Sequence, residues 1–348
     1  MNPLVLAILL ISLGLGTTLT FMSSHWLLAW MGLEINTLAI IPLMAQKHHP
    51  RAVEATTKYF LIQATAAAMV LFAATCNAWI FGLWDINQTQ HPIISSIMIT
   101  ALALKVGLAP LHLWLPEVLQ GITLTTGLLL STWQKLAPLA LIMQTAESAY
   151  PPLLTSLALC STLVGGWGGL NQTQLRKILA YSSIAHLGWM ILVSQMAPKM
   201  TLLALATYIV MTSAAFLTLN NINSTKTITL ASTWTKTPAL AALTCLILLS
   251  LGGLPPLTGF MPKWLIIQEL ASQGLAATAT IIALTALLSL YFYLRLTYAV
   301  ALTLSPQTTT ATTPWRIQTK QPTFALSLMV VLATCLLPIT PTISTLLI

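Results

Sequence analysis

Eleven apolar runs, each roughly 20 residues or longer, follow one another along the chain with only short polar segments between them. A helix of about 20 residues crosses the hydrocarbon core of a bilayer and satisfies its own backbone hydrogen bonds there. Charged residues make up only 6% of the chain, against about a quarter in a soluble domain. The sequence therefore predicts an all-α polytopic membrane protein. The predicted spans are 3–22, 25–45, 57–82, 93–121, 124–145, 151–170, 176–195, 200–220, 239–273, 276–304 and 323–346.

The basic residues of the loops fall almost entirely on one side of this topology. Only Lys199 falls on the side opposite the N-terminus. Because loops on the cytoplasmic or matrix side carry the excess of Lys and Arg, we predict that the N-terminus faces that side. Their scatter over several loops argues against nucleic-acid binding, despite a net charge of +8. The basic residues on the N-terminal side are Lys47, Arg51, Lys58, Arg176, Lys177, Lys226, Lys236, Arg316 and Lys320.

Two proline-containing segments, Gly107–Pro116 and Gly253–Pro262, align without gaps and share Gly, Leu, Pro, Leu and Pro in register. A proline inside a helix removes a hydrogen bond and clashes with the preceding turn. At membrane depth the freed backbone must be buried in protein or line a wet cavity. We therefore predict two discontinuous helices, in the fourth and ninth spans. An odd spacing of five helices gives the two halves opposite orientations, which predicts inverted repeats with a transport site near the midplane.

This repeat predicts three parts of the chain. Residues 1–145 form the first five-helix half, with a broken helix near 107–112. Residues 151–304 form the second, inverted half, with a broken helix near 253–259. Residues 305–348 form a loop on the N-terminal side and one extra C-terminal helix.

Four charged residues lie near the middle of predicted spans: Glu34, Lys105, Lys135 and Lys263. A charge at the bilayer centre costs about 2.5–3.5 kcal/mol, so the four would cost roughly 10–14 kcal/mol if unpaired. Intramembrane charges of this kind mark ion or proton paths. A buried carboxylate holds a proton or pairs with a cation, so Glu34 is a candidate partner of a lysine. The alternative for each residue is a static role in helix packing.

Two histidines, His112 and His186, also lie within predicted spans, and each could relay protons or simply form a packing hydrogen bond. The cysteines lie singly in different spans without a CxxC pair, which argues against a zinc or iron–sulfur site. No glycine-rich nucleotide-binding sequence occurs. We expect neither a metal nor a cofactor in this chain. The cysteines are Cys76, Cys160, Cys245 and Cys335.

Several stretches resemble a known family over essentially the whole length of the chain. They are His25–Leu27 with Gly32–Glu34, Lys105–His112, Gly168–Thr173, Tyr181–His186 and Gly252–Pro256. These stretches are similar to the NADH-ubiquinone oxidoreductase chain 2 family, the antiporter-like membrane-arm subunits of respiratory complex I. The resemblance implies a proton-translocating protein of the mitochondrial inner membrane, with its N-terminus on the matrix side and its C-terminus in the intermembrane space.

The resemblance also implies roles for the intramembrane residues. Glu34 and Lys105 would form the glutamate–lysine pair of the input half, Lys135 the central lysine and Lys263 the terminal residue toward the output side. His112 and His186 would match polar positions along a hydrated axis. That order predicts a proton path of acid, lysine, lysine and lysine.

The same resemblance implies an enzyme activity that belongs to an assembly. The chain would serve as a subunit of a proton-translocating NADH:ubiquinone reductase, with FMN, iron–sulfur clusters, NADH and ubiquinone bound by other subunits. Its partners would be other membrane-arm subunits, above all neighbouring antiporter-like ones, and phospholipids including cardiolipin. Two alternatives stay open from the residues alone: a stand-alone cation/proton antiporter and a purely structural membrane subunit.

Overall fold

The computed structural model describes residues 2–46, 49–89, 91–235, 237–302 and 323–347, and throughout these ranges the chain is helical with no β-strand. The first helices are α1 (Pro3–Met22), α2 (Trp26–Met44), α3 (Pro50–Phe81), α4 (Pro92–Val106), α5 (Trp114–Gly121), α6 (Leu124–Ser131), α7 (Trp133–Thr145) and α8 (Pro151–Gly169). They are followed by α9 (Leu175–Ser194), α10 (Pro198–Ile222), α11 (Thr227–Ala231), α12 (Pro238–Gly252), α13 (Phe260–Ser272), α14 (Ala276–Leu302), α15 (Phe324–Cys335) and α16 (Thr340–Leu347). The predicted all-α class is confirmed.

Six of the described helices are each long and apolar enough to cross a membrane: α1, α2, α3, α9, α10 and α14. The helices α4, α12 and α15 are apolar but shorter. Four predicted spans, 93–121, 124–145, 239–273 and 323–346, are each built from more than one helix. The count of eleven spans stays a prediction, because in these four spans no single helix covers the whole predicted crossing.

The chain divides into two compact units. The first consists of Met1–Ser161 with Ser194–Pro198, and the second of Thr162–Val193 with Lys199–Ile348. The predicted halves and their inverted relation stay predictions. The predicted C-terminal loop falls largely on residues 303–322, which lie outside the described ranges, as do four of the basic loop residues. These four are Lys47, Lys236, Arg316 and Lys320.

Within the first unit, α1 lies along α2, and α3 packs on α2, α4 and α5. Two glycines allow α1 and α2 to approach closely. A Cβ atom on Gly16 would overlap the Asn36 side chain, and one on Gly32 would lie 2.6 Å from Thr20 Cγ2. Small residues at such crossings let two membrane helices pack through their backbones. The crossing therefore packs α2, the helix that carries Glu34, directly on α1.

We expect Gly32→Ala to destabilise this crossing. The added Cβ would also lie 2.8 Å from the Gly16 carbonyl oxygen, and overpacking of this kind costs about 1–3 kcal/mol. The measurement is the thermal unfolding midpoint of the purified protein in its native assembly. Gly14→Ala is the matched control, because nothing lies within 4 Å of a Cβ atom at Gly14. An equal midpoint for both variants would contradict the close crossing.

The first predicted break has a clear backbone cause. Helix α4 ends at Val106, and Gly107 follows with φ of +87°, a left-handed conformation that glycine adopts without a steric penalty. The N–H groups of Gly107 and Leu108 both donate to the Ala103 carbonyl at 2.9 Å. This is the hydrogen-bonding pattern with which a helix ends at a glycine. The chain resumes as helix only at Trp114.

The second break repeats this arrangement in the second unit. Gly253 has φ of +80°, and it donates to the Leu249 carbonyl at 3.1 Å. Leu254 donates to the same carbonyl at 3.3 Å, and helix resumes at Phe260. Both breaks also contain a cis X–Pro peptide, Ala109–Pro110 in the first and Pro255–Pro256 in the second.

An additional interruption lies in the fifth predicted span, for which the hydropathy pattern predicts one continuous helix over 124–145. Thr132 has φ of −109° and ψ of −67° and separates α6 from α7. Its side chain donates to the Leu128 carbonyl at 2.7 Å. Pro138 lies one turn into α7 and cannot donate a backbone hydrogen bond. The Gln134 carbonyl, four residues before this proline, therefore receives no helical hydrogen bond from position 138.

Candidate functional site

The candidate site of the first unit is built around Lys105 on α4 and Glu34 on α2. Lys105 Nζ lies 3.7 Å from Glu34 Oε1, with the two side chains 1% and 24% exposed. Thr37 donates from Oγ1 to Glu34 Oε2 at 3.2 Å. The distance of 3.7 Å is too long for a hydrogen bond, so the attraction between lysine and carboxylate is electrostatic. The structure thus brings together the two residues that the resemblance paired.

The backbone at Lys105 is held by side chains from two other helices. The last carbonyls of a helix have no partner within the helix itself. Gln63 on α3 donates from Nε2 to the Lys105 carbonyl at 3.3 Å, and Trp114 on α5 donates from Nε1 to the Leu104 carbonyl at 3.1 Å. These bonds satisfy the carbonyls that the break leaves open, so α3 and α5 together fix the end of α4.

Lys105 and Lys135 line one buried cavity of about 20 Å³. A cavity needs roughly 10–15 Å³ of such space to hold a water molecule. Lys135 is 2% exposed. The two lysines therefore face a common space with room for about one water. The polar side chains that also line this cavity are Asn36, Thr37, Tyr59, Gln63 and Gln134.

Lys135 lies at the start of α7, directly after the interruption at Thr132. Two neighbours anchor this turn to other helices. Gln134 donates from Nε2 to the Asn36 carbonyl of α2 at 3.2 Å, and Trp133 donates from Nε1 to the Leu13 carbonyl of α1 at 3.4 Å. The interruption and these anchors place Lys135 on the cavity rather than on a lipid-facing surface.

The second unit holds a separate site around Lys263 on α13. Lys263 Nζ donates to the Gly252 carbonyl at the end of α12 at 2.8 Å. An ammonium group at the C-terminal end of a helix is stabilised by the helix dipole. Lys263 and His186 line a cavity of about 10 Å³ together with Ser182 and Tyr293. This space is just large enough for one water. The His186 ring also lies 5.7 Å from that of Tyr208 on α10, centroid to centroid.

His112 lies apart from both cavities. It is 7% exposed and belongs to the non-helical segment between α4 and α5, where its carbonyl accepts a hydrogen bond from Leu115 N–H at 3.0 Å. The described residues that line the Lys105–Lys135 cavity do not include it. Its relay role stays a prediction.

Several residues of these sites are not among the candidates that the sequence motifs indicate. Tyr59, Gln63 and Gln134 line the first cavity, and Tyr208 contacts His186 in the second unit. A polar residue inside an apolar span is the signal that could have found Gln63 and Gln134. The tyrosines carry no such signal, because an aromatic side chain is ordinary in a membrane helix.

In the described ranges no group of three or more His, Cys, Asp or Glu side chains lies close enough together to hold a metal ion. All four cysteines are free thiols.

Comparisons with known proteins match two consecutive stretches of the chain. Residues 23–289 match the family described as NADH:quinone oxidoreductase/Mrp antiporter, TM, and residues 290–344 match the NADH dehydrogenase subunit 2 C-terminus. The chain belongs to the NADH:quinone oxidoreductase/Mrp antiporter family. This confirms the resemblance that the sequence motifs indicated.

Close relatives in this family cover the chain from end to end. The NADH-ubiquinone oxidoreductase chain 2 of Formosania lacustris is 71% identical over 343 residues, which is 99% of each chain. The chain of the same name from Salmo salar is 69% identical over 347 residues, which is 100% of this chain and 99% of the relative. Those relatives therefore match this chain in length as well as in sequence.

Solved structures of two membrane complexes contain chains with this fold. A chain of respiratory complex I from Thermus thermophilus superposes with a TM-score of 0.85 at 29% identity, covering 98% of this chain and 79% of that one. A chain of the Mrp complex from Dietzia sp. superposes with a TM-score of 0.79 at 18% identity, covering 86% and 61%. The second likeness shows the fold alone.

Proposed function

We propose that this chain is a proton-translocating, antiporter-like subunit of respiratory complex I. It couples NADH:ubiquinone electron transfer in the assembly to proton movement across the membrane, without redox chemistry of its own. The observation that carries the proposal is the common cavity of two buried lysines, Lys105 and Lys135, with Glu34 beside the first. Buried ionisable groups that share water-sized space can exchange protons, whereas a packing role would need neither the space nor the second lysine.

Glu34 controls the proton on Lys105 in this proposal. Opposite charges about 4 Å apart attract by about 4 kcal/mol at an effective dielectric constant of about 20. Moving one proton against 100 mV requires about 2.3 kcal/mol. The attraction between Glu34 and Lys105 is therefore comparable in size with the work of moving one proton against the membrane potential. The receiving group is Lys135, reached through the water-sized cavity.

Lys263 serves the second unit in the same proposal, as the terminal residue toward the output side. Its ammonium group is held by the Gly252 carbonyl when protonated. His186 shares its cavity and is the candidate relay beside it. His112 is proposed as a further relay in the first unit, near the break that follows Lys105.

We expect Gly253→Ala to displace Lys263 from its carbonyl partner and to lower proton translocation several-fold. A Cβ atom on Gly253 would lie 2.8 Å from Lys263 Nζ. The matched control is Gly274→Ala, because Gly274 also has positive φ, at +75°, but has open space around it. Both variants bear the left-handed penalty of roughly 1–2 kcal/mol. Translocation is measured in proteoliposomes, and equal loss in both variants would attribute the effect to backbone strain alone.

The topology and location complete the proposal. We infer about eleven transmembrane helices, with two inverted five-helix halves and an extra C-terminal helix, in the mitochondrial inner membrane. The equivalent glycine-terminated breaks at Gly107 and Gly253 support the repeat. The bias of Lys and Arg toward the N-terminal side supports an N-terminus in the matrix and a C-terminus in the intermembrane space.

The partners and cofactors follow from the relatives that carry the complex I name. We propose that neighbouring antiporter-like subunits of the membrane arm and phospholipids, including cardiolipin, contact this chain. FMN, iron–sulfur clusters, NADH and ubiquinone would be bound by other parts of the assembly. The name of the family also includes the Mrp antiporters, which keeps a stand-alone cation/proton antiporter as the second candidate.

Gentle purification of the native protein tests the proposed function. We expect the chain to elute in a large assembly that oxidises NADH. When ubiquinone is supplied, this assembly should change the internal pH of proteoliposomes. Proton movement that stops with an inhibitor of electron transfer would support the coupling. A chain that purifies alone and exchanges protons for sodium ions, without NADH, would instead establish the antiporter candidate.

A further inference from the structure

One face of α3 contacts both sides of the first break. Gln63 donates to the Lys105 carbonyl on the near side of the break. The Tyr59 ring lies 5.8 Å from the Trp114 ring on the far side, centroid to centroid. One residue earlier, Lys58 Nζ lies 2.8 Å from Glu117 Oε2, also on α5. A single helix therefore holds the end of α4 and the beginning of α5 at the same time.

Lys58 binds two carboxylates. Besides Glu117, it contacts Glu54 Oε1 on its own helix at 2.7 Å. The side chains are 42%, 55% and 62% exposed for Lys58, Glu117 and Glu54, so this chain encloses neither pair. Exposed ion pairs contribute little to the stability of a fold. The bond to Glu117 differs from the bond to Glu54 because it joins two helices. It therefore affects the position of α5 on α3.

The position of α5 matters because this short helix forms part of the cavity wall. It has 8 residues and is joined to α4 only by the non-helical residues 107–113. Trp114 and Leu115 line the cavity of Lys105 and Lys135, and Trp114 also donates to the Leu104 carbonyl. Gly121, the last residue of α5, packs so closely on Ala55 of α3 that a Cβ would lie 2.6 Å away. Movement of α5 would thus change the cavity and the capping of α4 together.

We propose that Lys58 and Glu117 are positioning residues for proton transfer at Lys105. Their ion pair clamps α5 onto α3, which keeps Trp114 on the Leu104 carbonyl and the cavity wall in place. Neither residue lines the cavity, so both act through the position of α5. This inference rests on the proposed function of Lys105.

Glu117→Gln in the assembled complex is the test. We expect proton translocation in proteoliposomes to fall about twofold to fivefold, where fivefold is the upper limit of what the loss of one exposed ion pair produces. Hydrogen–deuterium exchange of residues 114–121 should rise in the same variant, which a role unrelated to α5 would not cause. The matched control is Glu54→Gln, which removes a contact of the same lysine within one helix. Both readouts should stay at their wild-type values in that control.

Exchanging the charges separates the clamp from a general effect of substitution. Lys58→Glu combined with Glu117→Lys should restore translocation and exchange protection, in a Glu54→Gln background that avoids a like-charge pair on α3. Unchanged exchange of α5 in Glu117→Gln, or no recovery in the exchanged pair, would overturn the clamp. Normal translocation in Lys105→Met would contradict the proposed function itself, whatever the result at Glu117, so the two failures are distinguishable.

Discussion

Lys105→Arg is expected to leave the complex assembled and to reduce proton translocation by about 10²-fold, the lower range of what one proton-transferring group contributes. Arginine keeps the positive charge beside Glu34, 3.7 Å from the lysine nitrogen in the wild type. Arginine stays protonated in proteins, whereas a lysine can release its proton when buried. The substitution therefore preserves the ion pair and removes the proton transfer. The measurement is protons moved per NADH oxidised by the purified complex in proteoliposomes.

This variant distinguishes a proton carrier from a static salt bridge. If Lys105 only fixes α4 against α2, arginine should serve nearly as well and translocation should be retained. Lys199→Arg is the matched control, because Lys199 is exposed and lies in neither cavity. We expect wild-type translocation in that control and an intact assembly, judged by native gel electrophoresis, in both variants.

Lys135→Met is the second variant with a large expected effect, and it should reduce activity without reducing stability. Burying a single ammonium group costs several kcal/mol of lost hydration, and an apolar side chain of similar volume does not carry that cost. Lys135 is 2% exposed and lines the cavity that it shares with Lys105. We expect an unchanged or higher unfolding midpoint, together with a loss of translocation of about 10²-fold.

A purely structural role for Lys135 leads to the opposite result. Breaking a buried ion pair by removing one partner costs about 3–5 kcal/mol, so a structural lysine would lower the unfolding midpoint strongly when replaced. Lys199→Met provides the exposed control, for which neither quantity should change. Normal translocation in an assembled Lys135→Met complex would remove this residue from the proton path.

The sequence predicted the first break well because its cause is local. Gly107 supplies the left-handed residue that ends α4, and Pro110 prevents the helix from resuming at once. The interruption at Thr132 was missed, although Pro138 was visible in the sequence. A proline does not by itself determine whether a helix bends or stops, and here the side-chain bonds of Trp133 and Gln134 to other helices set the start of α7.

The pairing of Glu34 with Lys105 was expected from the family resemblance alone. Seventy-odd residues of chain separate the two, and no helical spacing relates them. Neither the family resemblance nor helical spacing predicted the contact of Lys58 with Glu117. The sequence predicts Lys58 only as one of the basic residues on the N-terminal side. Its partner Glu117 lies on α5, a short helix that is separate from α4 only because of the break.

The sequence by itself determined that this chain is a bundle of apolar helices with a few costly charges inside it, because hydropathy and proline act over short stretches. The tertiary structure alone decided that Lys105 and Lys135 share a cavity of about 20 Å³ and that α3 holds both sides of the first break. The physical reason is that side chains far apart in the chain meet only when the helices that carry them pack. Water-sized space and a clamping ion pair are properties of that packing.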